Sequence, residues 1–147
     1  MMREIGHILL AMDFSEASEQ LAEYARLFAE KFGARITVLY VAPTMNRYGK
    51  LYVPPNSIER LMGEILDGAK RAMSEFMERH FPGIKADGMV EYGYAPEKIL
   101  EVADDMEAGL IIMGTHGRRG VDRILFGSVA EKVVKTSKIP VLTVRPS

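Results

Sequence analysis

Glycine and serine residues in the last third of the chain have the spacing of a loop that holds phosphates. Gly114 and Gly117 follow a short apolar run, and nine residues separate Gly117 from the pair Gly127-Ser128, which opens a predicted helix. Glycine lets a backbone approach a ligand closely, and a helix start offers unpaired N–H groups and a positive dipole end. A strand-to-helix loop normally has about 2–6 residues. The longer loop here therefore predicts a binding site for a phosphate-bearing ligand.

The bulk composition is that of one soluble globular domain, and we expect a single domain over residues 1–147. The chain contains no cysteine, which excludes disulfides and thiolate chemistry. A formal net charge of −1 gives no general attraction to nucleic acid or to anionic lipid. No apolar run approaches the roughly 20 residues of a membrane span, and the start lacks an apolar signal core. We therefore expect a cytoplasmic protein with no nucleic-acid or membrane partner.

Strand-like and helix-like patterns alternate from one end of the chain to the other. Strands are predicted at residues 5–12, 35–41, 86–92, 110–113 and 139–145. Helices are predicted at residues 15–32, 56–81, 96–107 and 128–136. The predicted core face of the long second helix consists of Ile58, Leu61, Met62, Ile65, Ala69, Ala72, Met73, Phe76 and Met77. This alternation predicts an α/β fold, with a parallel sheet between two layers of helices.

The carboxyl ends of three predicted strands carry residues suited to a ligand crevice. If the first three strands wind one way and the last two return the other way, strands one and four become neighbours. Open α/β sheets bind ligands at such a point, where the winding of the chain changes direction. Asp13, Val41 and Gly114 stand at the ends of strands one, two and four, so we expect them on one rim.

The chain resembles a universal stress protein of the ATP-binding kind. The resemblance rests on the glycine-serine spacing and on segments 8–15, 38–41, 112–117 and 140–144. The resemblance extends over nearly the whole chain. It implies an open five-stranded parallel sheet in the order 3-2-1-4-5, Rossmann-like and of the adenine nucleotide alpha hydrolase type. It also implies a homodimer and a nucleotide-responsive role in stress regulation.

The resemblance also implies a set of ATP-binding residues. Asp13 and Val41 would flank the adenine, and Met113 and Gly114 would lie at the adenosine. The ribose and phosphates would be bound by the Ser128 hydroxyl and by the main-chain N–H groups of Gly117, Gly127, Ser128 and Val129. A Mg²⁺ ion accompanies the nucleotide in some members, but the sequence identifies no dedicated metal ligands and no catalytic residue.

Two positions depart from the pattern of nucleotide-binding relatives. Ala11 stands where they often carry a proline, which would loosen the adenine side of the site. Gly109 replaces an acidic residue that is common before the fourth strand, and we expect this change to affect the turn more than binding.

Some of the same residues also have purely structural interpretations. Ser128 with Glu131, and Asn56 with Glu59, have the spacing of capping boxes, and Asp13 could cap the first helix. The glycine loop before Ser128 favours a binding role there, and the two roles are compatible. His7, His80 and His116 lack a catalytic context and receive structural or solvated roles.

Three functions remain open on the sequence. An ATP-binding regulator fits the complete glycine-serine spacing. An enzyme, either an ATPase or a nucleotidyl transferase, lacks support, because there is no Gly-x4-Gly-Lys-Ser/Thr loop, no second domain to hold a co-substrate and no evident base. We therefore expect slow ATP hydrolysis at most. A protein-interaction module without nucleotide is the third. The last strand, residues 140–145, is apolar at an edge of the expected sheet, which predicts antiparallel pairing in a homodimer.

Overall fold

The protein, described by a computed structural model at residues 4–44, 55–116 and 127–146, is a parallel sheet with helices on both faces. The strands are β1 (His7–Ala11), β2 (Arg35–Ala42), β3 (Ala86–Tyr92), β4 (Leu110–Gly114) and β5 (Val141–Val144). The helices are α1 (Ala17–Phe32), α2 (Pro55–His80), α3 (Ala95–Asp105) and α4 (Ser128–Thr136). All pairings are parallel, and the order β3-β2-β1-β4-β5 confirms the predicted topology.

Each face of the sheet has its own apolar core, because helices cover both faces. Helices α1 and α2 pack over one face, around Ile8, Leu10, Ile36, Val38 and Ile112. Helices α3 and α4 pack over the other, around Leu9, Ala11, Leu39, Ile111 and Met113. Successive residues of a strand point to opposite faces, so the continuous apolar runs of β1 and β4 supply both cores.

Helix α2 covers the sheet with only part of its predicted core face. Ala69, Met73 and Phe76 are buried, but Leu61 and Ile65 are 40% and 37% exposed, so the prediction was wrong for these two residues of the first half of the helix. The 26 residues of α2 extend about 39 Å, whereas the 7 residues of β3 extend about 23 Å. The helix is therefore longer than the strand it covers. It also begins at Pro55, which places Asn56 inside the helix and excludes it as the cap.

The ends of α1 are set by two left-handed residues. Gly33 ends the helix at φ 63°, where glycine has no steric penalty, and its N–H donates to the Ala29 carbonyl. Before the helix, Phe14 takes φ 61°, and the Ser15 N–H donates to the Asp13 carboxylate at 3.0 Å. Glu16 is the N-cap residue, so Asp13 closes a local turn and is not the cap of α1.

The amino end of β4 is closely packed against the start of the described chain. The Gly109 N–H donates to the His7 carbonyl at 2.9 Å. A Cβ atom at Gly109 would lie 2.5 Å from the Glu4 carbonyl oxygen and 2.9 Å from the Ile5 Cα. Only glycine fits this position, so close packing explains why Gly109 stands where relatives commonly have an acidic residue.

Candidate functional site

Strand register brings most of the predicted site residues to the carboxyl edge of the sheet. Ala11 of β1 is paired with Leu39 of β2 on one side and with Met113 of β4 on the other. Asp13 follows β1 by two residues, and Val41 lies two residues beyond Leu39. β1 and β4 are neighbours whose connections lead to opposite faces of the sheet. The carboxyl edge at these strands is therefore a topological switch point of the kind that binds ligands.

The start of α4 is hydrogen-bonded to Thr115, the residue after β4, and Thr115 is in turn hydrogen-bonded to β5. The Thr115 N–H donates to the Val144 carbonyl at 3.0 Å, and the Gly127 N–H donates to the Thr115 carbonyl at 2.6 Å. Thr115 is 6% exposed, so this connection is anchored in the core. Gly127, Ser128 and Val129 therefore lie at the same edge as Gly114. Gly117 and the arginines 118, 119 and 123 lie outside the described residues.

The first turn of α4 has no side-chain cap. Gly127 is the N-cap residue, and its φ of −71° and ψ of 166° are extended. The Ser128 side chain lies within the helix, is exposed, and makes no capping hydrogen bond, so the predicted Ser128–Glu131 capping box is wrong. Glu131 instead pairs with Lys135 at 2.7 Å, and the hydrogen bond from Lys135 lowers the pKa of the Glu131 carboxyl. Within the described residues, no side chain accepts a hydrogen bond from the first N–H groups of this helix.

The β1–α1 loop forms the opposite side of this edge. Asp13 and Phe14 are partly buried, and the Phe14 ring lies 4.9 Å from the Tyr40 ring of β2, centroid to centroid. The Asp13 carboxylate already accepts the Ser15 N–H. Asp13 is thus oriented by a turn that is anchored through its aromatic neighbour.

Met113 and Gly114 occupy different positions although they are adjacent in β4. The Met113 side chain is 4% exposed and packs in the core beneath α3 and α4. Gly114 is partly buried, and a Cβ atom there would lie 3.2 Å from the His116 carbonyl oxygen. Only the backbone of Met113 is therefore available to a ligand, and at Gly114 a side chain would be in tight contact with the protein backbone.

The histidine and carboxylate groups of the edge do not form a catalytic or metal-binding cluster within the described residues. His116 Nδ1 lies 2.9 Å from Thr115 Oγ1. Across residues 4–44, 55–116 and 127–146, no group of three or more His, Asp and Glu side chains could hold a metal ion.

Comparison with known proteins shows the family to which this chain belongs. Residues 4–145 match the universal stress protein family. The chain belongs to that family. A universal stress protein of Methanocaldococcus jannaschii, MJ0531, is 32% identical over 142 residues, which cover 94% of this chain and 81% of that protein.

Solved structures of universal stress proteins and their relatives have the same architecture. The structure of MJ0577, also from Methanocaldococcus jannaschii, superposes with a TM-score of 0.86 at 27% identity and covers 99% of both chains. A universal stress protein in complex with cAMP has a TM-score of 0.62 at 23% identity, covering 99% of this chain and 100% of that one. The second likeness is one of fold. In the part of the universal stress protein described here, no helix has the length and apolar character needed to cross a membrane.

A polar group at the opposite edge of the sheet was not predicted from the sequence. His7 Nε2 lies 2.7 Å from Thr37 Oγ1, and Thr37 Oγ1 donates to Asp87 Oδ1 at 3.0 Å. Thr37 is 1% exposed in an otherwise apolar strand. A buried polar residue needs a hydrogen-bond partner. The threonine in the middle of that apolar run was the signal that could have led to this group.

Proposed function

We propose that this universal stress protein binds ATP at the carboxyl edge of the sheet and acts as a nucleotide-responsive regulator under stress. The observation that carries the proposal is the first turn of α4, which follows the N-cap residue Gly127 and has no side-chain cap. Its first intrahelical bond is from the Glu131 N–H to the Gly127 carbonyl at 3.0 Å. The N–H groups before Glu131 are suited to phosphate oxygens, which helix starts bind through unpaired donors and the dipole.

The proposed contacts follow from where each residue lies. The main-chain N–H groups of Gly127, Ser128 and Val129 would bind the ribose and phosphates, together with the exposed Ser128 hydroxyl. Asp13 would flank the adenosine from the β1–α1 loop. Gly117 belongs to the proposed phosphate loop on sequence grounds alone.

Three further residues would complete the adenine side of the proposed site. Val41 would present its main chain to the adenine edge, because its position beyond Leu39 puts it at the rim. Met113 and Gly114 would contribute backbone, since the Met113 side chain is committed to the core.

The choice of an adenine nucleotide is supported by the glycine-serine spacing and by the fold. A structure of the same fold is known in complex with cAMP, which also carries adenine, ribose and phosphate. We propose that Mg²⁺ accompanies ATP as a ligand of the phosphates. The described residues offer no metal cluster of their own, so the ion would enter with the nucleotide.

The direct experiment is to identify what the protein carries. Freshly purified protein is denatured, and the released small molecules are analysed by mass spectrometry, with protein purified through an ATP-free unfolding and refolding cycle as the control. We expect ATP or another adenine nucleotide in the first sample, and renewed binding of added ATP by the second. Failure of the refolded protein to bind ATP at millimolar concentration would contradict the proposal and favour an interaction module without nucleotide.

Bound ATP is expected to be hydrolysed slowly at most. Phosphoryl transfer depends on charged groups positioned around the terminal phosphate, and the sequence has no Gly-x4-Gly-Lys-Ser/Thr loop to bring a lysine there. A steady-state phosphate-release assay should therefore give a rate far below the typical enzyme value of about 10 per second. A rate near that value would make the protein an ATPase, and His116 and Asp13 would be the first residues to replace.

We also propose that two copies pair through β5. The strand is at an edge of the sheet, its sequence is Val-Leu-Thr-Val, and residues 141–143 are only partly buried. Uncharged edge strands invite pairing, and a closed twofold dimer satisfies the exposed backbone groups. The other edge strand, β3, carries Asp87 and Glu91, whose charges discourage the same contact.

The ladder between β4 and β5 supplies a matched pair of variants for this dimer. The Ile111 and Thr115 N–H groups donate to the Pro140 and Val144 carbonyls, so residues 140, 142 and 144 direct their backbone groups toward β4. Thr143 then directs its N–H outward. Proline removes that donor. We expect Thr143→Pro to give a folded monomer by light scattering and circular dichroism, whereas Leu142→Pro should disrupt the sheet itself. A folded Thr143→Pro dimer would place the interface elsewhere.

A further inference from the structure

Helix α2 has an apolar face that the sheet does not cover. Ile58, Leu61, Ile65, Gly68 and Ala72 follow one another at spacings of three, four, three and four residues, which places them along one line of the helix surface. Leu61 and Ile65 are exposed, and the other three are partly buried. We name these five residues the α2 ridge. This spacing is the one with which a helix packs against a second helix.

The carboxyl-terminal end of the α2 ridge borders a groove between α1 and α2. The groove has a volume of about 590 Å³, and Ala72 of the ridge lines it. The rings of Phe14 and Phe76, 6.2 Å apart between centroids, give the groove an apolar part. Among the described residues that line it, three glutamates outnumber one arginine, namely Glu16, Glu19, Glu75 and Arg79. The groove can therefore receive an apolar side chain, and its rim favours a positive group.

We propose that the α2 ridge packs against the α2 ridge of a second copy of the chain, antiparallel and about a twofold axis that passes between residues 66 and 67. In that register Ile65 of each copy lies opposite Gly68 of the other, and Leu61 lies opposite Ala72. The large side chains of one ridge thus meet the small residues of the other, and Leu61 enters the groove beside Ala72.

Gly68 supplies the space that this packing needs. Within the described residues, no atom outside the backbone of the helix itself lies within 4 Å of a Cβ added at Gly68. The domain therefore leaves room there for Ile65 of a second copy. Parallel copies would instead place leucine on leucine and glycine on glycine, which leaves a void at the glycines, and close packing disfavours voids. The ridge is complementary to itself only in the antiparallel arrangement.

Charges beside the α2 ridge fit the same register. Glu64 and Arg71 are both exposed, and the register brings Glu64 of each copy opposite Arg71 of the other. The first turn of α2, Pro-Asn-Ser-Ile, has no acidic residue and carries the positive end of the helix dipole. That turn comes beside the glutamates of the groove in the second copy. His80 also lines the groove but adds little positive charge at neutral pH, because burial lowers the pKa of its ring. These matches favour a second copy over an unrelated partner.

The α2 contact is separate from the nucleotide site and from the pairing through β5. Two crossing helices bury less than the roughly 1,200 Å² at which standard interfaces begin, so we expect a contact that forms at millimolar and not at micromolar protein concentration. A Thr143→Pro protein is therefore still a monomer at micromolar concentration. Because each chain then has two different self-pairing surfaces, the α2 contact joins β5 dimers into larger assemblies.

Disulfide cross-linking tests the register, because the chain contains no cysteine of its own. Residues 61 and 72 are about 16.5 Å apart along one helix, and a disulfide requires Cα atoms within about 7 Å, so a 61–72 disulfide joins two copies. Leu61→Cys and Ala72→Cys proteins are mixed at millimolar concentration and oxidised. We expect a covalent dimer in the mixture, with its linked peptides identified by mass spectrometry, and none in either protein alone. A Leu61→Cys protein that links to itself as readily overturns the register, and a mixture without the link overturns the contact.

Gly68→Leu tests the shape of the contact. The added side chain has room in the isolated domain, but it would occupy the space of Ile65 from the second copy. Added to both cysteine proteins, it should abolish the 61–72 link. The urea midpoint should stay at or above that of the parent proteins, because leucine favours a helix more than glycine does. Gly63→Leu is the matched control, since Gly63 also has open space but lies outside the ridge, and the link should persist there.

An intact link in Gly68→Leu would show that the α2 ridge is not the contact surface. A lowered urea midpoint in Gly68→Leu would show that the chain itself covers the ridge, which also overturns the proposal.

Exchange of charges tests whether the partner is a second copy in this register. Glu64→Arg in both cysteine proteins should lose most of the link, because like charges then face each other across the axis. The double variant Glu64→Arg/Arg71→Glu restores both opposite-charge pairs in reversed order, so the link should return. A double variant that links no better than Glu64→Arg contradicts the paired charges and with them the register.

Discussion

The glycines at the two edges of the sheet differ in how strictly the protein itself requires them. At the carboxyl edge, a Cβ added at Gly114 would lie 3.2 Å from the His116 carbonyl oxygen, a tight contact that a shift of a few tenths of an ångström would relieve. At the amino edge, a Cβ added at Gly109 would lie 2.5 Å from the Glu4 carbonyl oxygen, so two backbone segments would have to move apart. A missing side chain indicates a ligand only where the space it leaves is not filled by the protein itself, and at both glycines the protein fills that space.

Polar groups differ between the edges in the same way. At the carboxyl edge, the first turn of α4 has no side-chain cap and the Ser128 side chain is exposed. At the amino edge, the buried Thr37 hydroxyl is engaged on both sides, by His7 and by Asp87. Groups that are unpaired and exposed are suited to binding, and groups that are buried and paired hold the fold together.

The largest expected effect is at the amino edge. Gly109→Asp restores the acidic residue that the family resemblance leads one to expect there, but its Cβ would collide with the backbone of Glu4 and Ile5. Backbone cannot move aside as a flexible side chain can, so we expect a loss of several kcal/mol out of the roughly 5–15 kcal/mol that stabilise a domain. Urea unfolding measures the change.

A matched control for that variant is Gly63→Ala on α2. No atom lies within 4 Å of a Cβ added there, and alanine is favoured over glycine in a helix by up to about 1 kcal/mol. The control should unfold at slightly higher urea. If Gly109→Asp unfolds at the wild-type midpoint, the tight contact at the amino edge does not constrain the fold.

The smallest expected effect is at the carboxyl edge, in the stability of Ser128→Ala. Because the Ser128 hydroxyl caps nothing and is exposed, its removal should change the free energy of unfolding by less than about 0.5 kcal/mol. ATP affinity should nevertheless fall, measured by calorimetry on the same sample. If the variant instead loses about 1 kcal/mol of stability and keeps its affinity for ATP, Ser128 is a helix cap and does not contact the ligand.

Much of the fold could be predicted from the sequence because local patterns and tertiary packing agree there. The bounds of β3 and α4 were predicted to the residue, and the strand order follows the expected winding. Helix α2 is the exception, since its periodic apolar face continues past the end of the sheet. Periodicity shows which residues share a face, but not how far the opposing surface extends.

The candidate site could be predicted less completely. Spacing placed Gly127 and Ser128 at the start of α4 correctly, but the capping box failed because the helix begins one residue earlier than the box requires. The His7–Thr37 bond joins residues 30 positions apart and depends on strand register. No local sequence pattern shows which residue pairs with Thr37. The threonine in β2 could therefore be recognised as unusual, but its partner could not be predicted.

Gly127→Val tests the central claim, ATP binding at the start of α4, most directly. The backbone of Gly127 is extended, with φ −71° and ψ 166°, so valine can adopt it without strain and the fold should persist. Its side chain would stand at the first turn, where the phosphates are proposed to bind. Titration calorimetry with ATP and Mg²⁺ should give binding for the wild type and none for the variant, with matching circular dichroism. Equal affinity in a folded Gly127→Val protein would contradict the account.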